Sequence, residues 1–463
     1  VFMRTLLLVS LFVAVLNVSS AFATSDTESI KQQLNSLKND YEQHIAALEE
    51  RLLRAEVKAA QASDKAQQVE QQVVDQEKKM TSLPVRGNFN PAISLILDGR
   101  FASFDNAADD YELPGFALGG EAGLGEEGFS LGHTELILSS TIDNLFYGQA
   151  TVVIDDHDGE IEVELEEAFI ETLGLGHGVT VKAGRFFSSL GYLNEQHEHA
   201  WDFADAPLIY RGLFGNHLSD DGVQVSYIAP TDLFLQVGAE AFRGSQFPAG
   251  GEQADIGAWT AFANVGGDIG VEHSWLMGLG HWRANDIEDR TTGGHSHGGG
   301  AVETPSFAGD SHINAFDFVY KWAPNGNPKN RNFKFQFEYF EREEDGVVTL
   351  LDSAPLEVTS YDGDQSGWYA QAVYQFKPQW RLGLRFDKLN SSNSGSDLDV
   401  LAEAGLDNEG HSPKRISTML EWVPSEFSRI RLQYNHDDSY ENADNQLFIQ
   451  YTHSLGSHGA HQF

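Results

Sequence analysis

The sequence predicts an all-β membrane protein, a 16-stranded antiparallel transmembrane β-barrel preceded by an α-helical coiled-coil segment. Three observations lead there. From Leu83 to Phe463 the apolar pattern has a period of two. The connections between its alternating runs are short at one end and mostly long and polar at the other. The residues before Leu83 follow a seven-residue period instead.

The elements follow in order. Residues 1–23 read as a signal peptide: Arg4 is the basic start, Leu6 to Val18 the apolar stretch, and Ser20-Ala21-Phe22-Ala23 a small-x-small cleavage pattern. Residues 24–82 read as a coiled coil. Leu34, Tyr41, Leu48, Ala55, Ala62 and Val69 recur every seven residues, and Ile45, Leu52, Ala59, Ala66, Val73 and Met80 keep the same period beside them. The Ala-rich middle makes such a helix weak alone, so it is expected to oligomerise.

Residues 83–463 carry sixteen alternating runs, starting near residues 92, 130, 145, 160, 178, 222, 232, 258, 270, 311, 332, 367, 380, 415, 427 and 445. The expected long loops are 105–128, 188–219, 244–257, 284–310, 343–366 and 390–414. Aromatic residues, among them Phe146, Tyr227, Trp322, Phe376, Trp380, Trp422 and Phe427, sit beside the short turns, where a girdle meets a membrane interface. No internal apolar run reaches the ~18 residues of a spanning helix.

Composition narrows the function. There are 30 Lys and Arg against 69 Asp and Glu, for a formal charge of −39, which excludes a nucleic-acid partner. The count of Cys is 0, which excludes disulfides, thiolate metal sites and cysteine nucleophiles. No HExxH pattern occurs, and the two GxSxG matches, GFSLG at 128–132 and GHSHG at 294–298, fall in an expected barrel without the strand-to-helix turn that such a nucleophile needs, so no enzyme is expected. The charge suits a protein that handles cations.

The stretch EIEVELE at 160–166 puts Glu160, Glu162 and Glu164 on one strand face and Ile161, Val163 and Leu165 on the other. In a barrel crossing lipid the apolar column faces hydrocarbon and the carboxylates line the pore. Beyond Glu166 the alternation slips, which predicts a bulge. Arg381, Arg385, Arg429 and Arg431 alternate with apolar residues on later strands, and Arg415 opens another, so a second arc of pore lining is basic. Glu195, Glu198, Asp202 and Asp205 make the loop 188–219 acidic. His295 and His297 in a Gly-flanked loop, His197 and His199 in the acidic loop, and the rim cluster Asp155, Asp156, His157 and Asp158 are candidate ligands for a divalent ion. No resident cofactor is required; Zn²⁺ or another divalent cation would bind transiently, because a channel must release what it captures.

The signal peptide, the sixteen strands, the sorted loops and the terminal Phe463 together resemble the trimeric porins of Gram-negative outer membranes. VKAGRFFSSLGYLNEQ (181–196) and the helical arm resemble the phosphate-selective-porin superfamily, and LGSHGAHQF (455–463) resembles a zinc-responsive outer-membrane protein subgroup. Phosphate-selective members line the pore with basic ladders, whereas this chain offers EIEVELE. The resemblance implies a homotrimer in the outer membrane, with the arm in the periplasm. It also implies that loop 188–219 folds inward as a constriction. An acidic loop facing an arginine wall would set a transverse field there. The function expected is a water-filled, cation-leaning porin for passive uptake of small solutes, divalent metal ions such as zinc among them. The alternative is a tether that reaches peptidoglycan through the coiled coil, the barrel serving as an anchor in outer-membrane lipid.

Overall fold

The computed structural model describes residues 91–456 other than 109–110, 120–121, 158–159, 252–254, 293–303 and 441. The expected signal peptide, the coiled coil, the His295 and His297 loop and most of the C-terminal tail lie outside the described residues.

One antiparallel sheet holds every strand: β1 (Ala92–Ser103), β2 (Gly128–Leu131), β3 (Thr134–Thr141), β4 (Phe146–His157), β5 (Glu160–Thr172), β6 (Val179–Phe187), β7 (Ser219–Ile228), β8 (Phe234–Phe242), β9 (Ala258–Ile269), β10 (His273–Thr291), β11 (Pro305–Trp322), β12 (Asn332–Leu350), β13 (Glu357–Lys377), β14 (Trp380–Gly395), β15 (Lys414–Ser425), β16 (Ser428–Asp438) and β17 (Asp444–Gly456). The sheet closes because β1 pairs with β17, from Ser94↔Gly456 to Ser103↔Leu447. β2 and β3 both pair with β1 and are two halves of one span, so the 17 strands make a 16-position barrel. A closed barrel leaves no open sheet edge, which is the condition for a sheet to cross hydrocarbon.

The outward face is apolar. Ile93, Ile161, Val163, Leu279, Leu382, Leu384 and Leu432 are all exposed, Ile161 and Val163 at 66%. Such a continuous apolar exterior is stable only against lipid or a neighbouring subunit. At the short-turn end Trp380 stacks near Trp422, with ring centroids 6.2 Å apart, and Phe376 and Phe427 are exposed beside them.

Two features depart from the expectation. The loops foreseen at 284–310, 343–366 and 390–414 are much shorter, because β10 to β14 continue as paired strands well past the apolar belt. The segment EREEDG at 341–346 is polar on both faces yet pairs fully with residues 361–366 of β13. Past the apolar belt neither strand face is apolar over this segment, so the hydropathy signal fades while the backbone ladder persists. The second departure is inside. On the long-loop side the bore is packed with apolar side chains rather than water. The helix α1 (Leu208–Phe214) is buried on all sides, its apolar residues in the core and its polar ones partnered, Tyr210 by Glu338 and Arg211 by Asp205. Leu208, Ile209, Leu213 and Phe214 join Phe116 and Leu118 of the 104–127 loop and the inward wall residues Trp282, Phe340, Tyr369 and Leu389 in one core.

Candidate functional site

The site is the inner loop 188–218 and the wall it touches. Its two ends are drawn together by Asn194, whose Nδ2 donates to the carbonyls of Ser188 (2.7 Å) and Leu218 (2.9 Å) while its Oδ1 accepts from the Leu218 amide (2.7 Å). Wall side chains then hold the loop by its backbone. Glu240 accepts from the Ser189 amide at 2.9 Å, Glu338 from Leu193 at 3.0 Å, Asp387 from Leu208 at 3.0 Å and Gln433 from Ala204 at 2.7 Å. Each acceptor satisfies an amide that would otherwise be buried without a partner. Helix α1 ends at Gly215, whose φ of 62° is the left-handed C-terminal cap that a residue without Cβ adopts at least cost.

The acidic loop residues do not face the arginines across water; they touch them. Asp205 accepts from Arg385 (2.6 Å), Arg415 (2.8 Å), Gln433 (2.6 Å) and Asn435 (2.9 Å). Asp202 pairs with Arg381 and with Lys334 at 3.1 Å. Arg431 donates to Glu421 at 2.8 Å and to the Trp201 carbonyl at 2.7 Å. Arg385, Arg415 and Arg431 point inward, yet the loop covers them to 1% exposure or less, so they pin the loop instead of lining a pore. The expected transverse field between loop and wall is thus replaced by contact neutralisation. Burial alone would raise the Asp205 carboxyl, but Arg385, Arg415 and Arg211 outweigh it and hold it well below the usual carboxylate range. Asp202 is depressed in the same way against its burial, by Lys334 and Arg381.

On the opposite arc the loop meets a cluster of imidazoles and carboxylates. β5 carries an extra residue where Thr151 pairs with Glu167 and Val152 with Leu165, so Glu166 is the bulge. The bulge lets both Glu166 and Glu167 reach the loop. His197 Nδ1 lies 2.8 Å from Glu166 Oε2 and 3.5 Å from Glu135 Oε2, and its Nε2 lies 3.0 Å from Glu167 Oε2. His199 Nδ1 is 2.7 Å from Glu135 Oε1. His133, at the break between β2 and β3, is 3.1 Å from Glu166, 3.9 Å from Glu198 and 4.0 Å from Asp155. Burial pushes the His197 imidazole down, but Glu166 and Glu135 prevail and hold it well above its ordinary value. Burial raises the carboxyls of Glu195 and Glu198, which Lys182 and His133 respectively only partly oppose. His199 goes the other way: burial lowers it and Glu135 only partly compensates.

Below the loop, toward the short turns, a cavity of about 1370 Å³ opens. Its lining includes Glu167, Glu171, Glu195, His197 and His199 on one side and Lys321, Lys334, Arg381 and Arg429 on the other. Of the pore residues expected from the sequence, Glu162 and Glu164 pair across to Asp155 and Val153, and Val153 is buried inside the barrel. Both glutamates are exposed, higher on the same strand face as the cluster. The side chain of Glu160 lies outside what the structure describes. Arg381 and Arg429 border the cavity. Among the metal candidates, His197 and His199 meet at the cluster, with ring centroids 5.7 Å apart. The sequence reading did not single out Glu135, Glu167 or His133. The signal present was the Glu166-Glu167 doublet that breaks the alternation, and Gly132-His133 interrupting a strand.

Fold and site together define a closed 16-position barrel with a loop folded into its bore and a polar cavity beneath it. An uncharacterized protein of Aquifex aeolicus (strain VF5) is 32% identical over 409 residues, spanning 81% of this chain and 80% of that protein. The chain belongs to the same family as that protein. No family model matches. Among solved structures, a loop-deletion variant of OmpT, an outer membrane protein of Vibrio cholerae, matches with a TM-score of 0.49 at 12% identity, covering 79% of this chain and 99% of that one. The outer membrane channel DcaP of Acinetobacter baumannii matches with a TM-score of 0.47 at 12% identity, covering 79% and 96%. An anion-selective porin from Comamonas acidovorans matches with a TM-score of 0.45 at 10% identity, covering 79% and 99%.

Proposed function

We propose that this protein is an outer-membrane channel for the passive uptake of small hydrophilic solutes, and that it favours cations. One observation carries the reading. A run of carboxylates descends a single wall, from Glu162 and Glu164 near the long-loop end, through Glu166 and Glu167 beside the inner loop, to Glu171 at the cavity. The apolar core around α1 packs against β13 and β14, whereas this carboxylate wall is carried by β5. A column of fixed negative charge lowers the cost of a cation shedding part of its hydration and raises it for an anion. The lysines and arginines across the cavity are partly neutralised, Lys334 by Asp202 and Arg381 by Asp202 and Glu421. The positive arc therefore opposes cation passage less than its residue count suggests. A homotrimer and the passage of divalent ions such as Zn²⁺ are the finer parts of this reading.

The test is planar-bilayer recording of the purified full-length protein. The reading expects stepwise ion-permeable openings, small ones because the inner loop narrows the bore. Incorporated protein that gives no conductance steps sinks the reading. Light scattering of the detergent complex tests the trimer; a monomer mass would remove it.

A further inference from the structure

Glu135 is fully buried, and its Oε2 has no hydrogen-bond partner among the described residues. A buried carboxylate oxygen with nothing to accept from costs on the order of 1–3 kcal/mol or more. It faces the Nδ1 of His197 at 3.5 Å, and Glu166 Oε2 lies 2.8 Å from that same nitrogen. The three residues place one ligand atom each within 4.8 Å of one another, a spacing that closes around an ion bound at about 2.0–2.2 Å per ligand.

The surroundings point the same way. The other nitrogen of His197, Nε2, is 3.0 Å from Glu167. A carboxylate accepting from one imidazole nitrogen fixes the tautomer, turns the other nitrogen's lone pair outward and raises its basicity, as in metal centres. The charge also asks for a cation. His133, His197 and His199 stand among Asp155, Glu135, Glu166, Glu167 and Glu198. Five carboxylates outnumber three rings, so the cluster keeps an excess of negative charge even with every ring protonated.

We propose that Glu135, Glu166 and the Nδ1 of His197 form a binding site for a divalent transition-metal cation such as Zn²⁺, with Glu167 as the residue that orients the imidazole. One nitrogen and two carboxylate oxygens suit a borderline ion, and three protein ligands leave a coordination position open. An open position lets the ion exchange with water, as a site along a transport route requires. The inference deepens the channel reading for its transport meaning and rests on that reading there; the binding site itself stands on its geometry alone.

Full-length protein in detergent is stripped with a chelator and titrated calorimetrically with Zn²⁺, and separately with Co²⁺ while its visible ligand-field absorption is recorded. The site predicts one Co²⁺ per barrel with the spectrum of a low-symmetry N/O site. Glu135→Gln is expected to lose binding, and Glu167→Gln to weaken it by about 10- to 100-fold. Removal of residues 293–300, which hold His295 and His297, should leave the Co²⁺ spectrum intact. Wild-type protein without stoichiometric Co²⁺ absorption overturns the site without appeal to any variant. So does a spectrum that disappears with residues 293–300. A barrel that conducts but binds no Co²⁺ overturns the site and leaves the channel standing, and one that binds Co²⁺ but conducts nothing does the reverse.

Discussion

Asp205 offers the sharpest test of how the inner loop is held. Its carboxylate accepts from Arg385, Arg415, Gln433 and Asn435 at 2.6–2.9 Å, and Arg211 stands at 3.7 Å. The residue is 5% exposed, and Arg385 and Arg415 are 1% and 0% exposed. Asp205→Asn keeps the shape and removes the charge, leaving the buried guanidinium groups of Arg385 and Arg415 to share Asp387, at 3.1 and 3.6 Å. Removing one partner of a buried ion pair costs about 3–5 kcal/mol, which is roughly two to three and a half orders of magnitude in an equilibrium; with Asp387 still in place the lower end applies. The strand ladders do not depend on Asp205, so the loss falls on docking of the loop. Hydrogen exchange is the assay: amides of residues 196–218 should exchange roughly a hundredfold faster or more in the variant, while the amides paired across β12 and β13 stay protected. The pH dependence has a definite sign. Asp205 is depressed in the folded state, so its contribution is full above the unfolded value of 3.8 and is lost only as pH falls below that. The Asp205 contribution to docking should therefore be the same at pH 5 as at pH 8. Loop exchange that is identical in Asp205→Asn and wild type would refute the claim that the arginine wall pins the loop.

Further outcomes follow from the same geometry. His217 stacks on Phe187 at 4.3 Å, and burial pushes its imidazole down to about 4, with His133 and His197 adding to the fall and Glu166 opposing it. Its neutral form stabilises the fold fully above the unfolded value of 6.5, and about 3 kcal/mol is lost as pH falls toward 4. His217→Phe should flatten that part of the stability–pH curve in denaturant melts; an unchanged slope would contradict it. Leu213→Ala, at 0% exposure in the inner core, should cost ~2–5 kcal/mol of loop stability by the same exchange assay; a loss below 1 kcal/mol would mean the core is loose. Leu384→Arg, on the outward face and 54% exposed, should cost up to about 2–4 kcal/mol in folding into lipid vesicles. No cost there would mean that this face does not meet hydrocarbon.

The period of two made the barrel legible, because lipid outside and polar groups inside force alternation on every strand. EIEVELE is the clearest case: Ile161 and Val163 are the most exposed apolar residues of β5, and the slip expected beyond Glu166 is a bulge one residue earlier, at Glu166 itself. The inward direction of Arg385, Arg415 and Arg431 was readable for the same reason. Their partners were not. Asp205 lies 180 residues from Arg385 and 210 from Arg415, and nothing in a local pattern says which carboxylate a folded loop will deliver. The extended ends of β12 and β13 were hidden because polar residues on both faces read as loop. The apolar core was hidden because Phe340 and Tyr369 alternate correctly for a lumenal face, and only a loop packed against that face reveals what they touch. The cluster around Glu135 joins β3, β5 and the inner loop, so its spacing in sequence carried no signal.

The central claim is that the carboxylate wall from Glu162 to Glu171 conducts cations past the inner loop. Reversal potential in asymmetric KCl measures it most directly, with wild type compared with Glu162→Gln/Glu164→Gln. The account predicts a potential of the sign that marks K⁺ as the preferred ion, moving toward zero in the double variant. A wild-type potential favouring chloride would contradict it.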